Sequence, residues 1–363
     1  MVSRIVEVAG RPALITGSLA IIATFASAAL RVAGAAEIAI FVATALALAS
    51  LAAVVGEATD ELGARLNPGA TGVLQSALGN LPELFICVFA LRAGLVVVVQ
   101  TALIGSILAN SLLVLGLAFV VGGLRHGSQR FGTDTTRMTA ILLVLSVASL
   151  AIPTLATAPG APDFGHARDL SVITSLVLLV VFVASIPASV RGTFGPSHEE
   201  RHAAPSWPLP ASLAVLAIAG LLAAVISDWF VEALRPAMAG LGISEVFVGL
   251  VVVAIAGNAV ENVVGITAAA RNKADLAVSL ILNSSLQIAL LLIPVLVLLS
   301  IVLGGVPLTL VAPPLLIAAL GLASVLGALI VFDGESTWLE GAALIGLYVI
   351  IAASVWFGTP VGG

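Results

Sequence analysis

The chain has 363 residues, 60% of them hydrophobic and only 9% charged, with a net charge of −5 and a mean hydropathy of +1.22. A soluble domain carries roughly a quarter charged residues, so this composition excludes one and predicts an integral, multi-pass protein of the lipid bilayer. No basic block suited to nucleic acid occurs, and the single cysteine, Cys87, has no internal disulfide partner and reads as small core packing or a reactive thiol.

Apolar runs of about 20 residues recur along the chain, whereas barrel strands need only about 10 alternating residues, so the spans are helices. In order they are expected at 14–30, 37–56, 70–91, 95–121, 138–158, 169–190, 210–233, 245–270, 274–302, 310–331 and 337–357, which makes about eleven. The first also reads as a signal peptide, because Arg4 and Arg11 precede it and Ala26-Ser27-Ala28 resembles a cleavage site. Arg and Lys fall ten on the side of the N-terminus against four on the other. Positive charge collects inside, so the N-terminus is expected in the cytoplasm and the C-terminus outside, in a bacterial-type plasma membrane. The expected organisation is all-α: an N-terminal helix (1–33), a first five-helix repeat (34–190), a Pro- and Gly-rich cytoplasmic linker (191–209) and a second five-helix repeat (210–363). Five spans per repeat make the two repeats inverted.

The repeat is visible in the polar residues. Gly79-Asn80-Leu81-Pro82-Glu83 and Gly257-Asn258-Ala259-Val260-Glu261 lie 178 positions apart, and the same offset relates Ser106 to Ser284 and Leu112 to Leu290. A carboxylate at the centre of a membrane costs about 3 kcal/mol on insertion scales and by default lines an ion or proton path. Two such acids on interrupted helices of two similar halves are the pattern of a secondary transporter with its site between the repeats.

A helix broken at Gly79 or Gly257 frees carbonyl oxygens, tolerated at membrane depth only where they are buried or line a cavity. Pro82, without an amide proton, suits the opening turn of the helix that follows. The expected ligand set is Glu83 and Glu261, the amide oxygens of Asn80 and Asn258, and backbone oxygens at Ala77, Leu78, Gly79, Ile255, Ala256 and Gly257. These are hard oxygen donors suited to Ca²⁺. Ser106, Asn110, Ser284 and Gln287 are supporting residues on the next span of each repeat, where they either complete the cavity wall or hold helices together by hydrogen bonds. The bland alternative for the pentads is helix packing by small residues.

At these residues the chain resembles the Ca²⁺/H⁺ exchanger family of the cation/Ca²⁺ antiporter superfamily. The matching stretches are Gly56 to Leu62, Gly79 to Leu84, Val98-Val99-Gln100, Leu103 to Asn110, Gly257 to Glu261, Asn272 to Ala277 and Ser284 to Leu290. The resemblance implies eleven helices with an inverted repeat, Glu83 and Glu261 as acids taking Ca²⁺ or protons in competition, and export of cytoplasmic Ca²⁺ by alternating access. Ca²⁺ is then cargo, with no cofactor. The chain departs from the family in having Asn262 where His is usual, Asn283 where Gly is usual, and a linker whose only acids are Glu199 and Glu200. Na⁺-coupled relatives carry a further acid in the helix after the second motif, where this chain has Gln287, with Asn110 in the corresponding helix of the first repeat. This favours protons as the partner ion, with Na⁺ or other divalent cations as the alternative. A passive channel is a further possibility.

Two other features have competing readings. Glu57, Asp60 and Glu61 either concentrate cations at the cytoplasmic mouth or form a solvated helix end, and Asp228, Glu232 and Glu245 flank the opposite mouth. His198-Glu199-Glu200-Arg201-His202 matches the H-E-x-x-H zinc motif, so a membrane metalloprotease using His198, Glu199 and His202 is the alternative from another class.

Overall fold

The computed structural model describes residues 2–66, 71, 74–75, 78–161, 163–190 and 205–356. Almost all of it is helix. The elements are α1 (Val2–Val32), α2 (Glu37–Gly63), α3 (Leu81–Arg92), α4 (Val96–His126), β1 (Gln129–Arg130), α5 (Thr133–Ala156), α6 (Ala167–Val190), α7 (Leu209–Leu241), α8 (Glu245–Gly257), α9 (Ala259–Ala270), α10 (Ala274–Leu303), α11 (Pro314–Ile330), β2 (Glu335–Ser336) and α12 (Trp338–Trp356).

Among the described residues, eight helices are long and apolar enough to cross a membrane, and the bent pair α8–α9 makes a ninth crossing. Helix α11 is apolar and slightly shorter. Helix α3, of 12 residues, follows Asn80 and carries Pro82 in its first turn. The protein is a polytopic, all-helical membrane protein.

The helices are sorted by what each face meets. On α2 the buried residues Thr44, Ala47, Leu48, Leu51, Val55, Ala58 and Thr59 recur at helical spacing, while Ile38, Val42 and Leu46 are exposed. Exposed Ile, Leu and Val are what a surface facing hydrocarbon requires. The buried face of α2 packs on α7, where Phe41 stacks on Phe230 with ring centroids 5.1 Å apart. Hydroxyls on these faces donate back to their own helix, as Thr44 does to the Ile40 carbonyl at 2.8 Å and Thr59 to that of Val55 at 2.7 Å. They reach the interior without leaving an unpaired donor.

The centre of the bundle is the crossing of α4 with α8, made possible by glycine on both sides. A Cβ on Gly105 would stand 2.6 Å from the Leu250 Cα, and one on Gly249 would stand 2.5 Å from the Val98 carbonyl oxygen. The two backbones therefore touch, as small residues allow in membranes. Near the ends of α4 and α11 the short strands β1 and β2 pair antiparallel, Gln129 with Ser336 and Arg130 with Glu335.

Gly249→Val would place two methyl groups in space held by the α4 backbone. We expect it to destabilise the protein by about 3 kcal/mol, read as a lowered unfolding temperature in detergent, whereas Gly220→Ala, with nothing within 4 Å of its added carbon, should leave that temperature unchanged.

Candidate functional site

Both pentads fold as helix breaks, with the same residue in each role. Helix α8 ends at Gly257, Asn258 leaves helical geometry at φ −105° and ψ 25°, and the axis turns by 64° into α9. In the first repeat Asn80 stands before α3 at φ −90° and ψ 14°, with Pro82 in the first turn. Asn is favoured at a helix N-cap and Glu three positions later, so the pentad spells a helix restart. Its unpaired amides carry partial positive charge beside the carboxylate, and Glu261 is bonded to its own backbone amide.

The two breaks meet. A Cβ added to Gly257 would lie 3.3 Å from Glu83 Cβ and 3.6 Å from its Cδ, so the second pentad's backbone rests on the first pentad's acid. Glu83 is 0% exposed and within Coulombic reach of Glu261. A chain of polar side chains runs from it. Ser106 Oγ donates to Glu83 Oε1 at 2.5 Å, Asn258 Nδ2 donates to Ser106 Oγ at 2.8 Å, and Asn110 Nδ2 donates to Ser284 Oγ at 3.1 Å and to Asn258 Oδ1 at 3.4 Å. Asn258 Nδ2 also donates to the Ala254 carbonyl at 2.8 Å, closing the end of α8. This network joins α3, α4, α9 and α10.

Two members of this network, Glu83 and Asn110, each keep a buried oxygen, Oε2 and Oδ1, without a hydrogen-bond partner, as does Asn262 Oδ1 on α9. Buried polar atoms are rarely left unpaired in proteins, and such acceptors suit a cation or its water.

The halves differ in exposure. Glu83, Ser106, Asn110 and Asn258 are fully buried, whereas Glu261 is half-buried and lies within Coulombic reach of Asp60 near the C-terminal end of α2. Asp60 in turn accepts from Gln75 Nε2 at 2.9 Å. The other acids of that cluster are engaged elsewhere, Glu57 with Thr16 Oγ1 at 2.9 Å and Glu61 with the amides of Ser206 and Trp207 at 2.8 and 3.0 Å. Asp60 lies within Coulombic reach of both Glu261 and Glu57. On the opposite side Glu232 is paired with Arg31 at 2.5 Å.

Of the predicted residues, Glu83, Gly257, Asn258, Ser106, Asn110 and Ser284 are in contact with one another. Asn80 is buried, and Gly79 and Leu78 are half-buried. Ala77 lies outside the described residues. The Ile255 carbonyl accepts from Asn262 Nδ2 at 3.4 Å, and Ala256 is buried. Gln287 is half-buried and outside the hydrogen-bonded chain, while Asn283 turns to Ser279 Oγ at 3.3 Å within its own helix. Cys87, fully buried one turn after Glu83, is a wall of the same centre.

Sequence reasoning missed the helix geometry around the supporting residues. Helices α4 and α10 widen to π-helix at Ala109–Val114 and Ile288–Leu292, in register under the 178-residue offset, and α8 does so at Val248–Val253. Such segments gather at functional sites. The only hint was Pro294, whose missing amide disturbs the ladder four residues back.

The fold and its buried carboxylate centre define the class first: a multi-pass helical membrane protein with an acid pair between two interrupted helices. The model described as "Sodium/calcium exchanger protein" matches residues 36–190 and 211–357, and the chain belongs to that family. It is 36% identical over 313 residues to the Ca(2+)/H(+) antiporter ChaA of Bacillus subtilis, covering 84% of this chain and 88% of that protein. It is 34% identical over 348 residues to the Ca(2+)/H(+) antiporter of a Synechocystis species, covering 88% and 91%. The structure of native YfkE superimposes with a TM-score of 0.81 at 31% identity over 94% of this chain and 99% of that one.

The family is one of transporters, so the protein is a transporter and not an enzyme. The metalloprotease reading falls with that; its residues His198, Glu199 and His202 lie outside the described residues.

Ser106→Ala leaves Glu83 Oε1 without its donor. A hydrogen bond to a charged group contributes about 2 kcal/mol, so Ca²⁺ binding followed by calorimetry should weaken by roughly tenfold or more, whereas Ser354→Ala, whose hydroxyl bonds the Ile351 carbonyl of its own helix, should leave it unchanged.

Proposed function

We propose that this protein exchanges cytoplasmic Ca²⁺ for protons by alternating access, with Glu83 and Glu261 taking either one Ca²⁺ or protons. The observation that carries the reading is the seating of the Gly257 backbone on Glu83, with the acids of both repeats brought to one centre. The identity to two proteins named Ca(2+)/H(+) antiporter over most of their lengths supports the choice of ions. Two carboxylates and a set of amide, hydroxyl and backbone oxygens suit a hard divalent cation. Two negative charges are neutralised equally by one Ca²⁺ or two protons, which makes occupancy mutually exclusive.

The organisation inferred from the sequence fits this mechanism: a leading helix (1–33), repeats at 34–190 and 210–363, and a linker at 191–209. The two family matches, 36–190 and 211–357, support that division. With the N-terminus in the cytoplasm of a plasma membrane, the half-exposed Glu261 and its neighbour Asp60 mark the cytoplasmic entrance, and the α4–α8 glycine crossing closes the outer side.

The test is Ca²⁺ flux in vesicles under separately imposed pH and Na⁺ gradients. A pH gradient should drive uphill Ca²⁺ movement, and Glu83→Gln or Glu261→Gln should abolish it, a loss of at least about a hundredfold for a group that takes part in every cycle. Drive by Na⁺ alone would replace protons with sodium as the coupled ion, and no drive by either would indicate a channel.

Acidity supplies a second check. Carboxylates hold Ca²⁺ only when deprotonated, so affinity must fall as protons are added. Between pH 8 and pH 5, measured by equilibrium binding, the apparent Ca²⁺ dissociation constant is expected to rise steadily; a flat profile would exclude competition at a shared site.

A further inference from the structure

Between α10 and α11 the chain runs extended, and six polar backbone atoms of this strap are held by side chains. Gly304 and Gly305, at φ 76° and 88°, turn it back from the end of α10. Three amides then point one way: Leu308 N to Ser300 Oγ at 2.9 Å, Leu310 N to Ser171 Oγ at 2.9 Å, and Ala312 N to Thr154 Oγ1 at 3.1 Å. The Thr154 hydroxyl donates in turn to the Leu310 carbonyl at 2.9 Å. The carbonyls of Thr309 and Val311 point the other way, to one amide group: Gln100 Nε2 donates to them at 2.8 and 3.0 Å. The alternation is that of a strand whose neighbours are side chains from α4, α5, α6 and α10.

The repeat makes this arrangement one-sided. The stretch related to it by the 178-residue offset contains β1, which pairs with β2 by backbone. Gln100 itself corresponds to Val278, which has no donor. Gln100 is therefore the strap's anchor on α4, the helix that carries Ser106 and Asn110. It stands six residues, about 9 Å along the axis, before Ser106. A small apolar cavity lined by Leu103, Ile104, Ile293, Leu308 and Leu310 separates strap and helix beside it, so neighbouring side chains leave the task to the amide.

We propose that Gln100 is a positioning residue for exchange: by holding two strap carbonyls it fixes the depth and rotation of α4, and through them the Ser106 hydroxyl on Glu83. The proposal rests on the exchange reading above. Ser106 donates to Glu83 Oε1 at 2.5 Å, so a slipped α4 removes that donor and leaves the carboxylate misplaced for Ca²⁺. The loss appears as weaker Ca²⁺ binding at a given pH, while the maximal rate is kept.

The experiment is pH-driven Ca²⁺ uptake by the full chain in vesicles, as a function of Ca²⁺ and pH, for wild type, Gln100→Leu and Gln100→Asn, each also combined with Ser106→Ala. Gln100→Leu is expected to raise KM for Ca²⁺ about fivefold with maximal rate within about twofold of wild type. Gln100→Asn, one methylene short and able to reach a single carbonyl, should fall between. In the Ser106→Ala background Gln100→Leu should change KM by less than about twofold, the mark of two residues acting through one contact. A wild-type KM in Gln100→Leu overturns the proposal, as does an undiminished effect in Ser106→Ala, or failure of both Gln100 variants to accumulate as folded protein, which would make Gln100 a folding determinant. Absence of pH-driven uptake by the wild type would instead remove the exchange reading itself.

Discussion

Glu83 is an acid without access to water, and the surrounding bundle is built to hold it. Its side chain lies under the Gly257 backbone, one oxygen takes the Ser106 hydroxyl, and the other has no partner. A carboxylate in hydrocarbon is costly, so each helix that touches it contributes a fixed dipole or leaves room. Helix α3 directs its N-terminus at the acid, α4 offers Ser106, and the break after α8 lets its backbone come close. The centre is consequently tight where Glu83 sits and open at Glu261.

That asymmetry is informative because the halves are so alike in sequence. Each repeat contributes a pentad, a serine 23 positions after the acid and a π-helical stretch in register. Yet the first repeat's acid is sealed and the second's is half-buried and within Coulombic reach of Asp60. On the exchange mechanism proposed above, an exchange of these two environments would carry the site from one side to the other.

The rest of the bundle separates into parts that hold and parts that face the opening. The strap after α10, the β1–β2 pair and the Gly105–Gly249 crossing bind α4, α5, α6, α8, α10 and α11 together by backbone and by satisfied side chains. Helix α2 meets α7 across small and aliphatic residues with a single aromatic stack, and its hydroxyls are spent on its own carbonyls. Specific polar bonds therefore concentrate in the framework that carries Ser106, Asn110 and Ser284.

The amino-acid sequence alone determined the membrane class, the duplication, the pair of acids and the breaks beside them, because each follows from local chemistry. Hydrocarbon excludes unpaired backbone and unexplained charge, and Gly, Asn and Pro have fixed meanings where a helix stops and restarts. Only the tertiary structure decided which polar residues touch. Ser106, Asn110 and Ser284 joined the network with Asn258, whereas Gln287 and Asn283, on the same helix as Ser284, did not. Adjacent positions of one α-helix point about 100° apart, and packing decides which of those directions meets the other repeat. It also joined Glu61 to the amides of Ser206 and Trp207 and Asp60 to Gln75, because a one-dimensional cluster of acids does not say which of them a later segment will claim.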